Sequence, residues 1–304
     1  MNILVRRSNL VVPVTDADDV NGSWRHNADA ITLDLTGCDA GARGRLREAI
    51  VCAARGAAEV FVRANKDTLQ ADLESAVWPE LRGVMLSRVE SASEIKAAAD
   101  MVTALERARK IAHGSVQFIV RLESARGVWD IRSIVTASPR ITQAALNEIS
   151  LAADLGITPL PEFDPFDYAR GRVVVESIAA KVMPVGIAYP LSVQTRAASA
   201  EEIHALAMKG KNLGMKGVLC PHADWVAPVN AAFTPTPELV VYNKRVREAF
   251  AAGVAAGTAA VPLDGRMIDV PVDEWAIVVL ATAEACGARD AEKQAAAKRL
   301  QAAT

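Results

Sequence analysis

The sequence predicts an α/β protein, a (β/α)8 TIM barrel with a C-terminal helical lid. Eight short β-branched runs alternate with Ala-rich amphipathic stretches, and successive runs start 21 to 41 residues apart, room for one helical crossover each. Composition agrees. Of 304 residues, 51% are hydrophobic but only 5% aromatic, an aliphatic excess suited to buried parallel strands under a layer of helices. A doubly wound open sheet is the competing arrangement. It lacks its signature, because no GxGxxG follows the first run and the turn from Gly41 to Gly44 has the wrong spacing.

Taken in order, the strand candidates are 9–14, 30–35, 59–64, 83–89, 117–123, 142–150, 183–190 and 217–222. The clearest helical connections are 91–112 and 199–214, both Ala-rich with apolar residues at helical spacing. After residue 222 the pattern changes. Segment 227–257 begins with Pro-bearing turns and runs into a helix, and 261–271 holds a hairpin-type turn at Asp264-Gly265. A final long helix is expected at 274–286, with the stretch from Gln294 to Thr304 as a frayed end. The expected division is a barrel over 1–228 and a lid segment over 229–304.

Charge excludes several functions. With 34 Lys+Arg against 36 Asp+Glu the net charge is −2, which disfavours a nucleic-acid binder or a polybasic membrane-surface protein. No apolar run approaches the ~18–20 residues of a membrane span. Cys38, Cys52, Cys220 and Cys286 show no ligand-like spacing and read as reduced thiols. The first residues lack the pattern of a signal peptide, so a cytoplasmic location is expected.

Six polar residues fall at or near the C-terminal ends of predicted strands, the rim that carries chemistry in such barrels: Asp34, Arg63, Arg88, Glu123, Ser150 and His222. Loops there are polar in any barrel, so Asp34, Arg63 and Glu123 carry the most weight. His222 reads first as a hydrogen-bonded structural residue and second as a proton carrier. A Cys220/His222 nucleophilic pair rests on strand parity alone.

The landmarks RRSNLVVP (6–13), ADAITLDL, FVRAN, LSRVE, RLESARG (121–127), LAADLGI (151–157), LGMKG, VNAAFTPTPE and DGRMIDVP (264–271) occur in order over nearly the whole chain. With them the sequence resembles the citrate lyase β-subunit-like branch of the HpcH/HpaI aldolase superfamily, which includes malyl-CoA, β-methylmalyl-CoA and citramalyl-CoA lyases. The resemblance implies a (β/α)8 barrel whose C-terminal lid reaches a neighbouring subunit, in a homotrimer or homohexamer. It also implies aldol- or Claisen-type cleavage of a 3-hydroxyacyl-CoA to an acyl-CoA and a 2-oxo acid, with Mg²⁺ polarising the oxo-acid carbonyl. By the same resemblance Glu123 is a metal ligand, Arg63 binds substrate oxygens with its planar fork of donors, and Asp269 of the lid is the general acid/base.

Departures from the family pattern fall on that chemistry. The acidic pair expected after the second strand is Thr36-Gly37, and the second metal-ligating aspartate is replaced by Ser150, a poor Mg²⁺ ligand. Glu148, on the same side of an extended strand two residues earlier, is the candidate replacement ligand. With fewer acids, a carboxylate or a coenzyme A phosphate would meet Arg63, Arg88 and Arg6 or Arg7 in a more positive mouth. Three readings follow: a carbon–carbon lyase, a metal-independent paralogue acting as a ligand-binding or partner subunit, or a coenzyme A thioesterase.

Overall fold

A computed structural model describes residues 3–193 and 198–302. Eight parallel strands form one sheet: β1 (Ser8–Pro13), β2 (Ala30–Asp34), β3 (Glu59–Ala64), β4 (Gly83–Leu86), β5 (Gln117–Leu122), β6 (Ile141–Leu146), β7 (Met183–Val185) and β8 (Val218–Cys220). Each strand pairs with the next from β1 to β7, and β1 also pairs with β8. Between β7 and β8 the ring is bridged by Gly186 N–H donating to Gly217 O and Lys216 N–H donating to Pro184 O, both at 2.9 Å. The predicted barrel is therefore present.

The longer helices are α1 (Leu46–Ala53), α2 (Leu69–Ala76), α3 (Ala92–Ala108), α4 (Glu148–Leu155), α5 (Asp167–Ala179), α6 (Ala200–Asn212), α7 (Val226–Phe233), α8 (Pro237–Ala255) and α9 (Val270–Ala302). The chain divides into two compact units. One comprises 6–233 with 296–304, and the other 1–5 with 234–295. The second unit holds α8, most of α9 and an antiparallel hairpin of β9 (Val261–Leu263) and β10 (Arg266–Ile268). The hairpin turns at Asp264-Gly265, both with positive φ, as the Asp-Gly signal requires.

Several boundaries differ from expectation. The sixth strand stops at Leu146, because the Asn147 side chain caps α4 by accepting from Ser150 N–H, so Glu148 and Ser150 are helical. The tail helix expected within 227–257 is two helices, α7 and α8, the latter capped by Thr236. The stretch expected to fray is helical from Gln294 to Ala302, where α9 ends, and its last two positions lie outside the described residues.

Alternation along each strand sends every second side chain into the ring. The middle of that interior is mostly apolar: Ala30, Phe61, Met85 and Ile119 cluster with Leu219, which also meets Ala145, Met183 and Val185. The base is polar and paired. Arg6, 1% exposed, forms an ion pair with Glu59 and donates to Gln117 Oε1 (2.6 Å) and Thr142 Oγ1 (3.0 Å). Arg7 clasps Asp29 through Nε (2.8 Å) and Nη2 (2.9 Å). Both arginines precede β1 and so sit at the N-terminal ends of the strands. Arg7, expected at the substrate, instead bolts the opposite end of the barrel.

Glu106 of α3 pins that helix to the base of β5 and β6, accepting from Arg140 (2.9 and 2.7 Å) and from the N–H groups of Gly114 and Val116. Burial alone would raise its pKa, but Arg140 and the two amides hold the carboxyl down at about 2, against 4.5 ordinarily. A depressed carboxyl stabilises the fold fully above its unfolded value and loses that contribution as pH falls through the folded one. Unfolding free energy is thus expected to drop by up to about 3 kcal/mol between pH 4.5 and 2, and Glu106→Gln to flatten that slope in urea titrations across this range. A separate test concerns packing at Gly83, where a Cβ would stand 2.4 Å from Gln117 O and 2.7 Å from Phe61 Cε1. Gly83→Ala is expected to lower stability by about 1–3 kcal/mol in the same assay.

Candidate active site at the barrel mouth

The inward-facing parity that places Phe61 and Ile119 in the core brings Arg63 and Arg121 to the C-terminal rim two residues on. In register, Asp34 of β2 lies beside Arg63 of β3. Arg63 Nη1 donates to Asp34 Oδ2 at 2.8 Å and its Nε to Ser87 Oγ at 3.0 Å. The other oxygen of Asp34 accepts from the Thr36 amide (2.9 Å) and hydroxyl (2.7 Å). On β5, Arg121 Nη1 lies 3.1 Å from Glu123 Oε1, and the Asn147 amide donates to that same oxygen at 3.3 Å.

Among the described residues Arg121 makes no side-chain hydrogen bond, and Glu123 is its one ion-pair partner. Burial is the main influence on its pKa and nearby Arg63 the second, and together they bring it down to about 10 despite Glu123 and Asp34. Two guanidinium groups of like charge therefore face one space. That space is a cavity of 310 Å³ lined by Arg63, Arg121, Asn147, Glu148, Ser192 and His222 with apolar neighbours such as Met85 and Leu219. Asp34 and Glu123, which pair with the two arginines, are not among its lining residues.

Glu148 does not stand ready for a cation. As the first residue of α4 it accepts from Arg170 Nε (2.9 Å) and Nη2 (3.1 Å), and Ser192 Oγ donates to it as well. Arg170 also holds Asp164 at 2.9 Å, and these two acids keep it firmly charged despite burial. Ser150 is turned to the Asn147 amide at 2.6 Å. Around Glu123 a divalent ion is thus offered a single carboxylate, one oxygen of which is already shared with a guanidinium and an amide. Mg²⁺ favours charged oxygens in octahedral array. No group of three His, Cys, Asp or Glu that could hold a metal ion occurs among the described residues. The residues at this mouth do not fit a resident Mg²⁺.

The remaining expected site residues scatter. Arg88 is exposed after β4 with φ of +51°, and it is not among the residues lining the cavity. His222 lines the cavity and packs edge-on to Trp225, ring centres 6.3 Å apart. Cys220 is fully buried in the core between strands and helices, and burial pushes its thiol far up, so no Cys/His nucleophile forms. Asp269 belongs to the other compact unit, where its Oδ1 accepts from Val272 N–H at 3.2 Å in the first turn of α9. Sequence reasoning missed Arg121, although its parity with Glu123 along the expected strand 117–123 was a sufficient signal. Arg170, on a helix 22 residues from Glu148, has no local signal at all.

Residues 7–223 match the family model described as HpcH/HpaI aldolase/citrate lyase. The L-malyl-CoA/β-methylmalyl-CoA lyase of Cereibacter sphaeroides is 28% identical over 84% of this chain and 88% of its own length. The citrate lyase subunit β of Escherichia coli K12 is 27% identical over 94% and 95%. Among solved structures, a citrate lyase from Burkholderia xenovorans superposes with a TM-score of 0.73 at 15% identity, covering 96% of this chain and 97% of that one. CitE of Mycobacterium tuberculosis, in complex with magnesium, acetoacetate and coenzyme A, gives 0.67 at 21% identity over 92% and 98%. At these identities the solved structures speak for the fold.

The buried Arg170 cluster is testable apart from any activity. Arg170→Met leaves Glu148 and Asp164 without their cation, and a loss of roughly 3–5 kcal/mol is expected by urea unfolding. The double variant Arg170→Met, Glu148→Gln is expected to regain part of it, because the uncompensated buried charge is then gone.

Proposed function

The chain belongs to the HpcH/HpaI aldolase/citrate lyase family, and we propose that it is a carbon–carbon lyase acting on a 3-hydroxyacyl-CoA or similar hydroxy acid. Its products would be an acyl-CoA and a 2-oxo acid. The observation that carries this reading is a 310 Å³ cavity at the C-terminal strand ends with the guanidinium of Arg63 on its wall, in a chain whose curated relatives include a malyl-CoA lyase and citrate lyase β subunits.

In the cleavage direction the 3-hydroxyl gives up its proton and the bond between the α-carbon and the carbinol carbon breaks. The carbinol carbon becomes the oxo group, and the electron pair passes to the thioester as an enolate, which then takes a proton at carbon. Arg63, held at a fixed angle by Asp34 and Ser87, suits the oxo-acid carboxylate, a planar anion matched by a planar fork. The exposed Arg88 is assigned to the phosphates of coenzyme A. Asp269 is assigned the proton transfer, supplied from a neighbouring chain of a homotrimer or homohexamer. Its half-buried carboxylate, with one oxygen engaged by Val272 N–H, suits such a task.

A second reading has its own support. Thr36, Gly37 and Ser150 stand where acids are expected, which favours a binding or partner subunit that kept the barrel. Incubating the purified protein with malyl-CoA or citramalyl-CoA and measuring free 2-oxo acid decides between them. Turnover is expected, with Arg63→Ala lowering kcat/KM by about 10²–10³. Turnover no greater than that of an Arg63→Ala, Asp269→Asn double variant would leave the partner-subunit reading standing.

A further inference from the structure

We propose that Arg121 acts with Arg63 as the oxo-acid clamp of this mouth, two guanidinium groups occupying the charge-stabilising position that a divalent cation would otherwise hold. The identity of the ligand rests on the lyase reading above. The chemistry of the clamp rests on the mouth itself.

Arg121 is a charged group with a side chain only 19% exposed, yet the described residues give it no side-chain hydrogen bond and one ion-pair partner. Its neighbour Arg63 makes two hydrogen bonds, to Asp34 and Ser87. A guanidinium carries five N–H donors, so both groups keep donors in reserve, and both line the same cavity. Charged donors of this kind are ordinarily satisfied by protein, water or ligand. These donors open on the cavity, where water or a ligand can meet them, and an anion is the ligand favoured by two cations on one wall. The acids that balance them, Asp34 and Glu123, are not on the cavity wall.

A cation entering the same space would meet the reverse. At Glu123 Oε1 it would compete with Arg121 at 3.1 Å and Asn147 at 3.3 Å, and it gains no second carboxylate from Glu148, both of whose oxygens are bonded to Arg170. A 2-oxo acid presents a carboxylate and an adjacent carbonyl oxygen. One guanidinium can take the carboxylate while the other polarises the carbonyl oxygen, which in the cleavage direction is the alkoxide oxygen left when the 3-hydroxyl loses its proton. Such fixed donors are an effective form of transition-state stabilisation. No atom is transferred to either arginine.

Calorimetric titration of the full-length protein with pyruvate, with EDTA present and then with Mg²⁺ in excess, tests the clamp without requiring turnover. Pyruvate is expected to bind in EDTA, with its affinity unchanged by Mg²⁺ within about threefold, and Mg²⁺ alone is expected to give no binding heat. Arg121→Gln is expected to weaken pyruvate by about ten- to a hundredfold, the range for lost hydrogen bonds to a charged group. Arg121→Lys, which keeps the charge and guards against a folding defect, should recover part of that loss. Pyruvate binding that appears only with Mg²⁺, no pyruvate binding in either buffer, or an Arg121→Gln protein that binds normally would each overturn the clamp. Failure of the lyase reading looks different: pyruvate would bind through Arg121 as described while no CoA thioester was cleaved. Turnover that depends on added Mg²⁺ would sink the clamp and leave the lyase.

Discussion

Inside a closed ring of strands a charged side chain has nowhere to go but toward another charge, and this constraint organises the barrel from base to mouth. At the base, Arg6 meets Glu59 and the amides around it, and Arg7 meets Asp29. In the middle layer Phe61, Met85, Ile119 and Leu219 pack together, and the buried Thr32 and Asn9 at that level satisfy each other by a hydrogen bond. At the mouth the pairs reappear as Arg63 with Asp34 and Arg121 with Glu123. Removing one member of a buried pair costs far more than the pair contributes. The two ends differ in completeness. Arg6 and Arg7 are surrounded by acceptors, whereas Arg121 is not, and that difference separates a structural arginine from one available to a ligand.

The same alternation explains what could be read from the sequence. The strands from β1 to β5 were visible because β-branched runs between helical stretches have few other interpretations, and their residues at the rim follow from parity. The sixth strand was read too long. Its last expected residues, Asn147 to Ser150, form a helix start, and the Asn-Glu pair that marks such a start was outweighed by the apolar run before it. That one boundary moved Glu148 from a supposed cation site into the hands of Arg170.

Arg7 failed for a different reason. Residue type and nearness to a strand do not say which end of the strand a residue occupies, and an arginine before β1 necessarily lies at the base. Arg170 was beyond reach, since its partners Glu148 and Asp164 become neighbours only once α4 and α5 are packed. Resemblance supplied Arg63, Glu123 and Asp269, but it is silent on Arg121, whose weight comes from what surrounds it in three dimensions.

The pairing of β1 with both β2 and β8 also bears on how the chain reaches its folded state. Ser8 registers with Val218, so during synthesis the first strand of the barrel waits some 210 residues for its second neighbour. At ribosomal rates of roughly 5–20 residues per second that is about 10–40 seconds. During that interval β1 is an unprotected sheet edge, and Arg6 lacks Thr142 and Gln143 for much of it. Contacts so distant in sequence slow folding and favour aggregation. Two arginines beside that edge are among the devices by which proteins keep an exposed strand soluble.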